Sequence, residues 1–253
     1  MGLSSFLSIP VLRSLRSKIG FGTGTKWYKP GDGPVNQDLV QILKSAITYG
    51  FTHIDGAEAY RIEEEVGIAI KESGVAREKI FVTTKVLDSV ANIPAAIDAS
   101  LKKLQLDYVD LYMVHSPYWT TDEGKLQAAW LLMEEVQRSG KGYVSNYLRP
   151  HIEATLGAAT IVPAVNQIDK GIQVSGFKPL TPITAAVGGP LDAKEVIPIT
   201  TITTTAKQSR LNEYWEASQF ELSSGEMEEI TAVGLSHHYR NWGKNRFAPD
   251  DRT

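Results

Sequence analysis

The sequence contains no cysteine, which removes disulfides, thiolate metal ligands and cysteine nucleophiles together. No apolar run approaches the ~18 residues that a membrane helix needs. Positive charge is not in excess either: 26 Lys and Arg face 29 Asp and Glu, a net charge of -3. The basic face that nucleic acid requires is therefore not indicated. The opening MGLSSFLSIPVLRSLRSK has no cationic leading segment, and Pro10 and Arg13 interrupt its short apolar part. It reads against a secretory signal. Phe6 stands where a myristoylation motif wants Ser or Thr. These absences predict a cytoplasmic protein with neither a membrane nor a nucleic-acid partner.

What is present is ordinary for a globular chain: 253 residues, 42% hydrophobic and 22% charged. No repeat, low-complexity linker or shift of texture divides it, so residues 1–253 read as one domain. Leu39, Ile42, Leu43, Ala46 and Ile47 lie on one face of a helix, and the strand-like Phe51–Tyr60 (FTHIDGAEAY) follows. A second helical pattern carries Val66, Ile68, Ala69 and Ile70. Ile80–Val86, Val109–His115 and Tyr143–Tyr147 read as further strands. Helices are expected around Ile93–Leu104, over Lys125–Arg138 with Gly140 as its C-cap, and from Arg149 to about Ala158.

Strands alternating with helices of this length predict a parallel sheet with helical crossovers, and their count favours a (β/α)8 TIM-type barrel. The one glycine cluster, GFGTGT at Gly20–Thr25, is not G-x-G-x-x-G, which argues against a Rossmann site.

Polar residues recur at the carboxyl ends of these strands: Asp55 and Tyr60, Lys85, His115, then Ser145 and Asn146. In a parallel barrel those ends converge on one mouth. Taken singly, a strand-end Lys is more often solvated, a lone His a satisfied core residue, and a Tyr near a helix start ordinary packing. Taken together they have a coherent chemistry. An adjacent ammonium at Lys85, held by Asp55, is expected to lower the pKa of the Tyr60 phenol. Neutral His115 would orient a carbonyl oxygen, and Tyr60 would protonate it as hydride reaches carbon. His53-x-Asp55 also prompts a metal-hydrolase reading, but further histidine ligands are wanting. His151 falls on a helix, and His237 and His238 fall in the tail.

HIDGAEAY, FVTTKV, DLYMVHSP, VSNY and VNQI together resemble the successive signatures of the aldo-keto reductases, from about Ile19 to Asn166. The resemblance implies a (β/α)8 barrel that reduces aldehyde or ketone carbonyls with NADPH, acting as a monomer or homodimer on a small-molecule carbonyl substrate. It maps the family's catalytic tetrad onto Asp55, Tyr60, Lys85 and His115. It further implies coenzyme contacts from Thr25, Ser145, Asn146 and Gln167, and stacking of the nicotinamide on Phe177. IPITTITTTAKQSRLNEY is similar to the segment that grips the 2′-phosphate and adenine, implying Thr201, Lys207, Arg210 and Glu213. Ile199 stands where the family usually has Lys. Trp27 and Trp119 resemble pocket-lining aromatics, and Ser116 replaces a frequent Trp. The tail, with Tyr239, Trp242 and Phe247, would by the same resemblance fold over the mouth.

The chain departs from the family after Gln167 and after Pro182, where segments are shortened, and between Arg138 and Val144. In VNQIDKGIQVSGF only Asp169, Lys170 and Gly171 separate two strand-like runs. A parallel crossover ordinarily takes about a dozen residues. The run therefore reads as an antiparallel hairpin with Gly171 left-handed. That predicts a barrel rearranged in its second half, with an incomplete helical jacket, an exposed strand edge and Phe177 turned from the mouth. The competing functional reading is a silent scaffold on the same barrel that has lost its coenzyme grip.

Overall fold

A computed structural model describes residues 19–24, 26–138, 143–145, 149–161, 165–167, 173–177, 200–217, 223 and 225. For 138, 143–145, 149, 165–167, 173–177 and 200–201 the description is of the backbone.

Eight strands form one closed parallel barrel in chain order: β1 Ile19–Gly22, β2 His53–Asp55, β3 Phe81–Val86, β4 Leu111–Val114, β5 Tyr143–Ser145, β6 Val165–Gln167, β7 Gln173–Phe177 and β8 Thr200–Thr203. Each pairs with its successor, and β8 pairs with β1 through Ile19–Thr201 and Phe21–Thr203. Following the register once around, from Gly22 to Asp55, Thr83, Leu111 and onward, returns to β1 displaced by eight residues. That displacement is the shear of a (β/α)8 barrel.

The hairpin expected at VNQIDKGIQVSGF is therefore corrected. β6 and β7 pair in parallel, Val165 with Gln173 and Asn166 with Val174. The dozen-residue rule describes crossovers that carry a helix. β6 has only 3 residues, so the chain must return ~7 Å along the strand and ~5 Å sideways. The five residues 168–172 can span roughly 20 Å. The expected exposed edge is likewise absent, since pairing with β8 closes the ring. Residues 168–172, where the helical jacket is expected to be incomplete, lie outside the described residues.

Six helices are described: α1 Gln37–Tyr49, α2 Glu63–Ser73, α3 Ile93–Leu104, α4 Glu123–Arg138, α5 Arg149–Leu156 and α6 Gln208–Ala217. Gly140, the expected cap of α4, lies outside the described residues. Local chemistry fixes their ends. Asn36 caps α1 by accepting from the N–H groups of Asp38 and Leu39, both at 3.1 Å. Gly50 ends α1 in the left-handed region at φ 105°. Asn92 caps α3, with Pro94 in its first turn.

The main core lies between barrel and helices. Phe21, Ile54, Val82, Tyr112 and Val114 point outward against Leu39, Leu43, Val66, Ile97, Trp130 and Met133. The alternate strand residues, among them His53, Asp55, Thr83 and Lys85, fill the barrel's interior. α2 packs tightly on α3 at Gly67, where a Cβ would stand 2.1 Å from the Leu104 carbonyl oxygen. Glu134 on α4 reaches beyond its own helix. It accepts from the N–H groups of Thr160 at 2.7 Å and Ile161 at 2.8 Å, fixing the lead-in to β6. No described helix is long and apolar enough to cross a membrane.

Candidate active site

The polar residues singled out in the first four strands do meet. Asp55 ends β2 and Lys85 lies in β3, both fully buried inside the barrel. Lys85 Nζ donates to Asp55 Oδ1 at 2.7 Å, to Oδ2 at 2.8 Å and to the Gly56 carbonyl at 2.8 Å. An ammonium has three protons, and all three are thus engaged. Tyr60 closes a 3-10 turn, Glu58–Tyr60, just beyond β2. Its hydroxyl stands 3.4 Å from His115 Nε2, and the two rings meet edge to face at 5.3 Å. Lys85 Nζ lies 5.5 Å from the centroid of the Tyr60 ring. Gly24, on the loop after β1, leaves room for that ring: a Cβ there would come within 2.8 Å of it.

The electrostatics differ from the expectation of an acidified phenol. Burial pushes the Tyr60 phenol well above its ordinary value, and the Asp55 carboxylate pushes it further. The physical reason is the pairing just described. Asp55 neutralises Lys85 at contact, so the pair presents no net cation to the phenol. Burial also lowers Lys85, against the raising influence of Asp55. His115 falls to about 3, through burial and then the Lys85 charge, and is neutral near pH 7.

Beneath this group His53 bonds Thr83 Oγ1 at 2.9 Å and packs edge-on to Phe81. Burial lowers its pKa from 6.5 to about 4. A depressed imidazole contributes stability that is complete above pH 6.5 and is lost as pH falls toward 4, because the unfolded chain takes the proton first. That difference corresponds to about 3 kcal/mol. Replacing His53 by Asn is expected to flatten the stability profile between pH 6.5 and 4, read by urea unfolding at several pH values. An undiminished acid slope would contradict this.

The remaining predicted positions divide sharply. Thr25 and Asn146 lie outside the described residues, as does the tail from residue 226. Ser145 and Gln167 are register partners at the carboxyl ends of β5 and β6, and Phe177 ends β7 beside Ile202. Trp27 is buried on the loop after β1, and Trp119 is half-buried on the loop after β4. The indole N–H of each is buried without a partner among the described residues. Thr201 sits in the amino half of β8.

Thr204 was not anticipated. It follows the carboxyl end of β8, and its buried hydroxyl has no partner among the described residues. The run TTITTTA offers no spacing that distinguishes one threonine from another; only burial does so. Next to it Thr205 Oγ1 accepts from the Lys207 N–H at 2.9 Å, and exposed Lys207 and Arg210 flank the start of α6. Glu213 is exposed one turn further along α6. Two cations, a helix start and an unused hydroxyl form the donor set that suits a phosphate. The donors present therefore fit the phosphate of a phosphorylated coenzyme.

Comparison with known proteins agrees with this geometry. Residues 18–168 match the model of the aldo/keto reductase family. The NAD/NADP-dependent indole-3-acetaldehyde reductase of Schizosaccharomyces pombe is 35% identical, over 89% of this chain and 94% of that one. Glyoxal reductase of Bacillus subtilis is 32% identical, over 85% and 91% respectively. Among solved structures, an aldo/keto reductase from Brucella melitensis superposes with a TM-score of 0.69 at 26% identity, covering 85% of this chain and 94% of its own. A Bombyx mori aldo-keto reductase in complex with NADP gives 0.69 at 25% identity, over 87% and 90%. With its closed eight-stranded ring and these relatives matched nearly end to end, the chain belongs to the aldo/keto reductase family.

Proposed function

We propose that the protein reduces aldehyde or ketone carbonyls to alcohols at the cluster of Asp55, Tyr60, Lys85 and His115, with NADPH as coenzyme. The observation that carries this reading is a phenol and a neutral imidazole, 3.4 Å apart, above a buried Lys–Asp pair at the barrel mouth. When bound, the reduced nicotinamide supplies hydride to the carbonyl carbon. Tyr60 Oη–H gives its proton to the carbonyl oxygen, and its raised pKa keeps that proton in place across the neutral range. His115 orients the same oxygen without contributing charge. Lys85 braces Asp55 and Gly56, and so the backbone that leads into the Tyr60 turn.

Lys207 and Arg210 would hold the coenzyme's phosphate, with Thr204 close by and Glu213 toward the adenine. Ser145, Asn146 and Gln167 would hold the carboxamide, Phe177 would stack on the ring, and Thr25 and Thr201 complete the proposed set. Trp27 and Trp119 would line the substrate pocket. Their two buried indole donors favour substrates with an acceptor oxygen besides the reacting carbonyl. Reading the tryptophan fluorescence during an NADPH titration tests the proposal. Saturable quenching is expected, and Arg210→Ala should weaken NADPH binding by about 10- to 100-fold, as the loss of a charge-assisted bond implies. NADH binding should change far less. Absence of quenching at millimolar NADPH would defeat the reading.

A further inference from the structure

The turn that carries Tyr60 is short, and Arg61 closes it in a left-handed conformation at φ 57°. What holds it against the strand that carries Lys85 is a side chain from within the turn itself. Glu58 Oε2 accepts from three consecutive backbone N–H groups: Leu87 at 3.0 Å, Asp88 at 3.1 Å and Ser89 at 3.3 Å. Its Oε1 takes the Ser89 hydroxyl. Those three residues are the exit of β3, immediately beyond Val86. The partly buried carboxylate therefore fastens the Tyr60 turn to the end of the Lys85 strand.

Other ties of the segment are weaker or act at its start, where the Gly56 N–H donates to the Thr83 carbonyl at 2.8 Å. Arg61 reaches Asp88 at 3.7 Å and Asp32 at 3.4 Å, but these pairs are largely exposed and worth little. Lys85 Nζ to the Gly56 carbonyl, at 2.8 Å, anchors only the start of the segment. The stretch from Gly56 to Tyr60 is thus pinned at its start by Lys85 and the Gly56–Thr83 bond, and near its end by Glu58. At Tyr60 itself the Lys29 N–H donates to the carbonyl at 3.1 Å. Of these only Glu58 ties the Tyr60 turn to the exit of β3.

We infer that Glu58 is a positioning residue for the reaction: its carboxylate, seated on the Leu87–Ser89 amides, sets where the Tyr60 hydroxyl stands relative to His115 and the Asp55–Lys85 pair. This rests on the proposed reductase reading. Three of the four partners are backbone N–H groups that must have the Oε2 acceptor, and the Ser89 hydroxyl, which can donate or accept, meets Oε1. Gln can keep the N–H groups on its carbonyl oxygen and donate its NH2 to the Ser89 hydroxyl, so it retains the tie in a neutral, weaker form, whereas Ala removes it. Asp would fall one methylene short. A displacement of about 1 Å at the proton donor can cost on the order of 10²-fold in rate.

The test compares wild type, Glu58→Ala, Tyr60→Phe and the double variant in the full chain with NADPH and a short aldehyde. Glu58→Ala is expected to lower kcat about 10- to 100-fold with the coenzyme KM unchanged. In the Tyr60→Phe background it should have no further effect, because Glu58 acts through that hydroxyl. Equal losses in both backgrounds, or a parallel change in kcat and both KM values, would mean a merely structural role and overturn the inference. Amide hydrogen exchange supplies a readout independent of turnover. Glu58→Ala should accelerate exchange at residues 87–89 and 56–61 while α1 and α4 keep wild-type protection. Unchanged exchange there would overturn the inference. A wild type that exchanges as expected but turns over no carbonyl would instead sink the reductase reading on which it rests.

Discussion

Replacing Tyr60 by Phe is expected to lower kcat for carbonyl reduction by about 10²- to 10⁴-fold, the range of a lost general acid, with coenzyme affinity unchanged. The ring would keep its edge contact with His115 and its place over Gly24, so only the hydroxyl is removed. Among the described residues nothing nearby can stand in for it. Burial holds the His115 pKa down to about 3, so it is a neutral imidazole near pH 7 whose one N–H is too weak an acid to replace the phenol. All three protons of Lys85 are committed to Asp55 and Gly56. Steady-state kinetics with NADPH and a short aldehyde would check this, and a variant that kept a tenth of the wild-type rate would remove Tyr60 from its role. A wild type without turnover would favour the silent-scaffold alternative. A second signature accompanies the first. Because burial raises the phenol above its ordinary value of about 10, kcat should show no loss of the donor as pH rises to about 9.

Gly67→Ala is expected to cost about 3 kcal/mol of stability or more, at the upper end of overpacking effects. For a domain of this size that lowers Tm by roughly 6–12 °C. The added methyl would meet the carbonyl oxygen of Leu104 at 2.1 Å and its carbonyl carbon at 2.6 Å. Both are backbone atoms, so no side chain can swing aside and the helices themselves must separate. Intrinsic preference runs the other way, since Ala in a helix interior is better than Gly by about 1 kcal/mol. The sign of the change therefore reports the helix contact alone. Calorimetry or thermal circular dichroism decides it, and an unchanged or raised Tm would show that α2 and α3 do not pack this closely. α2 begins at Glu63, three residues beyond Tyr60, so turnover should fall as well.

The first half was legible because periodicity and strand-end chemistry coincide there. The span expected for α3, Ile93–Leu104, matches the helix observed. β2 is shorter than expected, His53–Asp55, because Glu58–Tyr60 leaves the extended conformation to form the 3-10 turn. A long strand-like text cannot show that break. The juxtaposition of Asp55, Tyr60, Lys85 and His115 followed from their places at successive strand ends. Their electrostatics did not, because a residue pattern names charges without saying which pair neutralises which. Glu58 escaped notice for a similar reason: an acid two positions before a tyrosine looks like surface until its partners, the Leu87–Ser89 amides, are brought to it by the fold. At β6 and β7 a rule about helical crossovers was applied to strands so short that the chain needs none.

The closing pair of the ring has a bearing on synthesis. Ile19 and Thr201 are partners 182 positions apart, whereas Val165 and Gln173 are separated by only 8. A nascent chain can lay down β1 to β7 one beside the next, but the last seam waits until β8 has left the ribosome. Until then both rims of a curled, seven-stranded intermediate stay bare to any neighbouring polypeptide. Premature termination before Thr200 would for that reason be more damaging than its length suggests, although all four residues of the proton-transfer cluster would already have been made.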